Sequence, residues 1–280
     1  MNKLEIKNLT KHYGDFTAEV SFSVPCGAVV GLIGENGAGK STVIKSILGI
    51  VRPDGGEVLF DGKQIDGLKR EDRQKIAYVL DDTGLPDELT LKMLGNVFKN
   101  MFIKWDGAKY KSLISSLKLP ENKPVKEFSK GMKMKAAIAV SLSYDSKLLI
   151  LDEPTSGPDP VVGDEILGMI YDYVSGDDRA VLISSHITSD LEKLCDYIVY
   201  MHGGKVVISE PKDELLEKYA VYSVDKKIVP ELDRHAVIKV LEKEYRTELL
   251  ACRDRMPEGF DMRPVRLDDI MLFYSKGVTL

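Results

Sequence analysis

The sequence predicts an α/β protein: a mixed sheet flanked by helices, with an antiparallel β subdomain, an inserted helical subdomain and a small α+β C-terminal appendage. Three observations predict it. Short apolar runs at residues 28–33, 148–151 and 181–183 suit buried strands and are too short for helices. A glycine-rich break separates the first run from a segment whose apolar residues share one helical face. A mainly helical pattern, at about residues 86–144, is inserted between core strands.

The elements follow in order. Leu4 and Ile6 alternate with Glu5 and Lys7, as in a half-buried strand. The strand at 28–33 is broken by residues 34–39. Val43, Ile44, Ile47 and Leu48 then recur on one face until Gly49 stops the helix. Asp54-Gly55-Gly56 is a turn into a strand at 58–60, closed by a second turn at Asp61-Gly62. Residues 76–80 read as a strand, and a helix over 162–174 separates the strands at 148–151 and 181–183. Residues 197–201 and 206–208 flank His202-Gly203-Gly204-Lys205 as a hairpin. Beyond residue 216 the pattern predicts a strand near Val221, an amphipathic helix over 233–243, a strand over 247–252 and a helix over 267–274. The expected organisation is a main domain over 1–216 and an appendage over 217–280.

Composition narrows the function. The 280 residues are 44% hydrophobic and 30% charged, enough for a sizeable core and a polar surface. The formal charge is −5 and no basic tract stands out, so nucleic acid is not an expected partner. Cys26, Cys195 and Cys252 lie far apart and form no CxxC pair, which fits a reducing compartment. His12, His186, His202 and His235 are scattered, so no zinc site is expected. No run of about 18 apolar residues spans a bilayer, and the start lacks a signal-peptide core. A cytoplasmic location is expected.

Gly34-Glu35-Asn36-Gly37-Ala38-Gly39-Lys40-Ser41-Thr42 fits G-x-x-x-x-G-K-[ST] and falls between a predicted strand and a predicted helix. Glycines let backbone N–H groups converge on a ligand, and the helix N-terminus adds partial positive charge. Lys40 is expected to reach the β- and γ-phosphates of a nucleotide, and the Ser41 hydroxyl to ligate Mg²⁺.

Residues 148–151 end in Asp152-Glu153. Two acids at a strand end call for positive charge nearby, because an unpaired buried carboxylate is costly. Their side chains diverge, so Asp152 can hold Mg²⁺ through water while Glu153 orients and polarises the attacking water. Residues 181–183 lead through Ser184-Ser185 to His186, expected at the γ-phosphate. The loop, the acid pair and the histidine all follow strand ends, where ligands of open parallel sheets collect.

With Ser129-Lys130-Gly131-Met132, these residues resemble the nucleotide-binding subunit of ABC transporters, in that family's motif order over residues 1–216. The resemblance implies a P-loop NTPase core that binds and hydrolyses ATP with Mg²⁺. Phe128-Ser129-Lys130-Gly131-Met132 stands where the family has its signature loop, which closes over an ATP held by another subunit. It thereby implicates Ser129 and Gly131 in nucleotide binding, and this variant resembles bacterial exporters paired with ABC-2 type permeases. Pro154-Thr155-Ser156-Gly157-Pro158-Asp159 is similar to the family's D-loop, with Asp159 at its acidic position and Pro158 replacing a leucine. Tyr13, in Lys11-His12-Tyr13-Gly14, falls where the family stacks a ring on adenine. Asp81-Asp82 stands where a glutamine usually touches the metal. Asp81 is shorter and charged, so it either binds Mg²⁺ through water or falls short of it.

The resemblance implies partners. A second copy or a paralogous ATPase subunit closes head to tail around two nucleotides, and a separate transmembrane permease holds the pair at the inner face of the cell membrane. The helical insert is expected to pass motion to that permease. The cargo class it suggests is a drug, peptide or lipid-like molecule. A soluble ABC ATPase acting on ribosomes or DNA is the alternative. It is disfavoured by a single glycine loop, by only about 90 residues between loop and signature, and by the acidic balance. A non-hydrolysing nucleotide sensor is a third reading, against which Glu153 and His186 weigh.

Overall fold

The computed structural model describes residues 1–175, 178–243 and 246–279. It opens with a long hairpin of β1 (Asn2–Tyr13) and β2 (Phe16–Pro25). Leu4, Ile6 and Leu9 of β1 and Ala18, Val20, Phe22 and Val24 of β2 face the core. β3 (Val29–Gly34) is buried along its whole length and runs through the glycine loop into α1 (Lys40–Ile47). The α1 helix ends as expected, with Gly49 at φ 70°. β4 (Gly55–Phe60) and β5 (Lys63–Gln64) pair across Asp61-Gly62, whose φ values are both positive, as a two-residue hairpin turn requires. A single-turn α2 (Arg70–Arg73) precedes β6 (Ile76–Val79).

The helical insert comprises α3 (Leu91–Met101), α4 (Gly107–Ser116) and α5 (Lys130–Leu142). Thr90, Asp106 and Ser129 cap the three helices by accepting backbone N–H groups. The insert has its own apolar cluster, built on Leu91, Leu94, Tyr110, Ile114, Val125 and Phe128. The chain then returns through β7 (Leu148–Asp152), α6 (Pro160–Val174), β8 (Ala180–Ser185), α7 (Thr188–Leu194), β9 (Tyr197–His202) and β10 (Lys205–Pro211).

These strands make one sheet in the order β5-β4-β1-β2-β10-β9-β3-β8-β7-β6. From β9 to β6 neighbours are parallel, and the β1, β2, β4 and β5 end is antiparallel. The parallel part is covered on both faces. Val30, Leu32, Ile150 and Leu182 pack with α1, while Val29, Ile33, Leu151 and Ile183 pack with residues of α5, α6 and α7. Double coverage is why those strands read as unbroken apolar runs rather than alternating ones. Among the described residues no helix is long and apolar enough to cross a membrane.

The remaining elements are α8 (Lys212–Lys218), β11 (Tyr219–Val224), β12 (Val237–Glu242), β13 (Thr247–Cys252), β14 (Asp261–Pro264) and α9 (Leu267–Lys276). The division expected at residue 216 falls inside α8. The helix expected over 233–243 is instead β12, an edge strand of an antiparallel sheet ordered β12-β13-β11-β14. A register shift between Val237 and Lys239 is the reason. It leaves Val237 and Val240 both buried in one cluster at a spacing of three, which mimics a helical face. One face of this sheet joins the main core, because Val221, Leu250, Ile270 and Phe273 belong to the same cluster as Leu191 and Ile198.

α9 is pinned by a two-pronged ion pair, with both Arg263 nitrogens 2.7 Å from the Asp269 carboxylate, which also accepts the Arg266 N–H at 2.9 Å. Burial alone would raise the Asp269 carboxyl, but the guanidinium and the N–H outweigh it and hold it below its ordinary value. A depressed carboxyl contributes stability above its unfolded-chain value, near pH ~4, and loses it as pH falls through the folded value. Asp269→Asn should therefore lower stability by a constant amount between about pH 5 and pH 7. Below about pH 4 the gap to wild type should close, as measured by urea unfolding at each pH.

Candidate active site

The glycine loop leaves β3 at the carboxyl edge of the sheet and wraps the start of α1. Gly34 passes so close to β9 that a Cβ there would lie 2.5 Å from the Met201 carbonyl oxygen. Gly39 sits at φ 104° as the residue before α1, where a side chain would press on the Phe16 ring. The loop is thus shaped by what glycine alone tolerates, and its backbone lies along a cleft of about 450 Å³.

Asn36, Gly37, Gly39, Lys40, Ser41 and Thr42 line this cleft, and Glu153, His186 and Asp81 reach it from three other strand ends. Gly34 and Ala38 shape the loop from beneath: both are buried, and Ala38 packs in the α1 cluster. Lys40 is 6% exposed, and its Nζ donates to the Gly34 carbonyl at 2.8 Å and the Glu35 carbonyl at 3.3 Å. The same ammonium lies 3.4 Å from Glu153 Oε1. The other Glu153 oxygen, Oε2, is 2.6 Å from His186 Nδ1 and accepts the His186 N–H at 3.3 Å. One carboxylate therefore links the loop's cation to the histidine.

Glu153 adopts φ 53°, a left-handed conformation uncommon outside glycine and found at functional sites. Its backbone N–H donates to Ser184 Oγ at 3.1 Å. That hydroxyl in turn donates to Asp152 Oδ1 at 2.6 Å, and β7 and β8 are in register with Asp152 opposite Ser184. Asp152 is buried at the sheet edge while Glu153 turns toward the cleft, so the two acids diverge as expected.

Other expected residues are placed differently. Tyr13 is not in the cleft wall. It is 47% exposed at the end of β1, with the Lys11 ammonium over its ring at 5.5 Å, and the aromatic side chain lining the cleft is Phe16. Ser129, Gly131 and Asp159 do not line it either. Ser129 Oγ accepts the Met132 N–H as the cap of α5, and Asp159 accepts the Val161 and Val162 N–H groups as the cap of α6. Gly131 packs against Pro158 and Val162, which brings the segments containing Ser129 and Asp159 side by side. Asp81 lines the cleft, but its carboxylate is 2.6 Å from Lys130 Nζ, both groups about half exposed. The two charges thus compensate each other.

Sequence reasoning missed four contributors: Phe16, Glu35, Ser156 and the bridging hydroxyl of Ser184. Alternating burial along β2 could have exposed Phe16. The Ser184 bridge depends on pairing across strands 32 residues apart.

A glycine loop at a parallel strand end, a lysine on the helix behind it and a strand-end acid pair define a nucleoside triphosphatase of the phosphate-loop class. The family model for the ABC transporter matches residues 17–156. The lantibiotic transport ATP-binding protein SrtF of Streptococcus pyogenes is 36% identical over 217 residues, 75% of this chain and 91% of that relative. The ABC transporter ATP-binding protein YtrB of Bacillus subtilis is 28% identical over 283 residues, 96% of this chain and 97% of that one. A solved structure of the ATP-binding subunit of an ABC transporter matches with a TM-score of 0.68 at 32% identity, covering 76% of this chain and 91% of its own. The chain belongs to the ABC transporter family, and it is an ATPase.

Lys40 is the cation facing the loop's mouth, so Lys40→Ala should weaken ATP binding by about ten- to a hundred-fold, the worth of one charge-assisted hydrogen bond. Titration with a fluorescent ATP analogue measures it, and unchanged affinity would remove Lys40 from the cradle.

Proposed function

We propose that this chain energises a membrane exporter by closing head to tail with a second ATPase subunit around two ATP molecules. The single observation that carries the reading is the meeting of Lys40, Glu153 and His186 at one sheet edge. In this arrangement Lys40 and the loop N–H groups hold the phosphates. Glu153 accepts a proton from the attacking water or aligns it, and His186 faces the γ-phosphate.

Magnesium fits the donor set. Among the described residues no three His, Cys, Asp or Glu side chains gather into a metal cage. Ser41, which lines the cleft, would supply a hydroxyl, while Asp152, buried on Ser184 outside the cleft lining, would act only through water, in the kind of oxygen set Mg²⁺ shares with substrate phosphates. When bound, the ion neutralises phosphate charge and orients the terminal group. Asp81 joins that set only if it leaves Lys130.

Several features support a second subunit. The cleft is open, and water in it weakens every stabilising contact with the phosphates. Ser129, Gly131 and Asp159 lie together outside the cleft wall, at the N-termini of α5 and α6, beside the 70%-exposed Val161. Helix N-termini favour phosphate, so this face suits the nucleotide of another molecule. Tyr13, exposed at the hairpin tip, offers a ring to the base. A head-to-tail pair closed by ATP and opened by its products has the differential affinity a motor requires.

The permease is read from the insert. Met93, Val97 and Met101 recur every four residues on α3 and are each about half exposed, and Ile103 continues the patch. An apolar stripe of this kind marks a protein partner, here a transmembrane subunit that would keep the chain at the inner face of the membrane. The lantibiotic relative and the exporter-like signature favour a peptide or similarly amphiphilic cargo.

Two experiments test this reading. Glu153→Gln should cut phosphate release by about a hundred- to ten-thousand-fold while ATP-dependent association of two chains persists. Near-normal hydrolysis would overturn the role given to Glu153. Co-purification from detergent-solubilised membranes should recover a polytopic partner in fixed stoichiometry, and Val97→Asp should lose it while phosphate release by the purified chain is unchanged. Retention of the partner by the variant would move the contact off α3.

A further inference from the structure

The C-terminal unit contributes no group to the cleft, yet α9 grips the helix that follows His186. β8 ends at Ser185 and α7 begins at Thr188, so only His186 and Ile187 separate the strand from the helix. Whatever fixes the first turn of α7 therefore fixes the backbone that carries the imidazole. The residue before α7 is Ile187, which has no side-chain acceptor, and α7 lacks a side-chain cap of its own.

Two hydrogen bonds tie α7 to α9 instead, one of them at Thr188 in the first turn of α7. Thr188 Oγ1 donates to the Asp268 carboxylate in the first turn of α9, and Glu192 Oε1 accepts the Leu267 N–H at 2.7 Å. Each helix thus satisfies a polar group at the start of the other, and both bonds involve a carboxylate, the stronger kind. Both donors, on Thr188 and Leu267, are buried, while the Asp268 acceptor is exposed and the Glu192 acceptor half-buried. α9 is itself a fixed reference. Ile270 and Phe273 are fully buried, and the Tyr274 ring meets Tyr200 of β9 edge-on at 5.2 Å, one strand from the phosphate loop.

His186 is therefore held from two sides, by Glu153 in front and by α9 behind. The front contact is the one that changes if Glu153 turns its carboxylate to water. We propose that Asp268, assisted by Glu192, is a positioning residue for ATP hydrolysis, which sets the His186 ring through Thr188 and α7. The inference rests on the reading that His186 assists hydrolysis, and it makes the C-terminal unit part of the ATPase machinery.

The test combines steady-state phosphate release, ATP affinity and histidine-selective NMR on the full chain. Asp268→Ala and Thr188→Val should each lower kcat by about ten- to a hundred-fold, the scale of an ångström-level misplacement, with ATP affinity unchanged. Thr188→Ser, which keeps the hydroxyl, should restore kcat. In a His186→Ala background Asp268→Ala should add no further loss, as expected of a residue acting through the histidine. The His186 ring signals, identified by their absence in His186→Ala, should shift in Asp268→Ala and Thr188→Val and stay in place in Thr188→Ser. Unmoved ring signals, wild-type kcat in Asp268→Ala, or an equal loss with and without His186 would overturn the proposal. Wild-type turnover in His186→Ala would instead overturn the histidine's role and the proposal with it. That case is recognised because Asp268→Ala would still shift the ring signals.

Discussion

The site depends on one carboxylate held in an uncommon backbone conformation. Glu153, at φ 53°, ends a fully buried strand, and its two oxygens contact Lys40 and His186. Lys40 belongs to the helix after β3 and His186 follows β8, so three parallel strand ends converge on a single side chain. The neighbouring Asp152 is held apart by Ser184, which bonds both that carboxylate and the Glu153 N–H. With Glu153 in the left-handed region, its side chain lines the cleft while Asp152 stays buried.

The rest of the architecture serves that convergence. Apolar cover on both faces of the parallel strands makes their ends rigid, and a rigid edge holds reacting groups to the tolerance catalysis needs. The helical insert has a separate cluster and presents an exposed apolar stripe on α3, so it can engage a partner without disturbing the strand ends. The C-terminal sheet does the reverse. It shares the main core through Val221 and Leu250, and α9 adds Phe273 to that core and reaches α7 through Asp268. Lys130 and Asp81 tie the start of α5 to the loop after β6, adding an ion pair to the apolar packing of α5 against β6.

What could be read from sequence was what is encoded locally. The residues from Gly34 to Thr42 are contiguous, so their glycines, lysine and hydroxyls announced the loop without a structure. The buried strands showed themselves as apolar runs, and Asp152, Glu153 and His186 by following such runs. Contacts between distant residues were hidden: the Ser184 bridge needs the register of β7 and β8, and the Asp81–Lys130 pair joins positions 49 residues apart. The strand β12 carries a helix-like pattern because its register shift buries Val237 and Val240 at a spacing of three. Motif position points to Tyr13, which lies outside the cleft wall, while the wall holds Phe16, an apolar position in the alternating strand β2.

A structure of the chain with magnesium and a non-hydrolysable ATP analogue tests the central claim most directly. The account predicts the terminal phosphate within hydrogen-bond distance of Lys40 Nζ and of the His186 ring, with the triphosphate wrapped by the loop amides. It would be contradicted by an analogue bound away from the loop while Lys40 still donates to the Gly34 carbonyl.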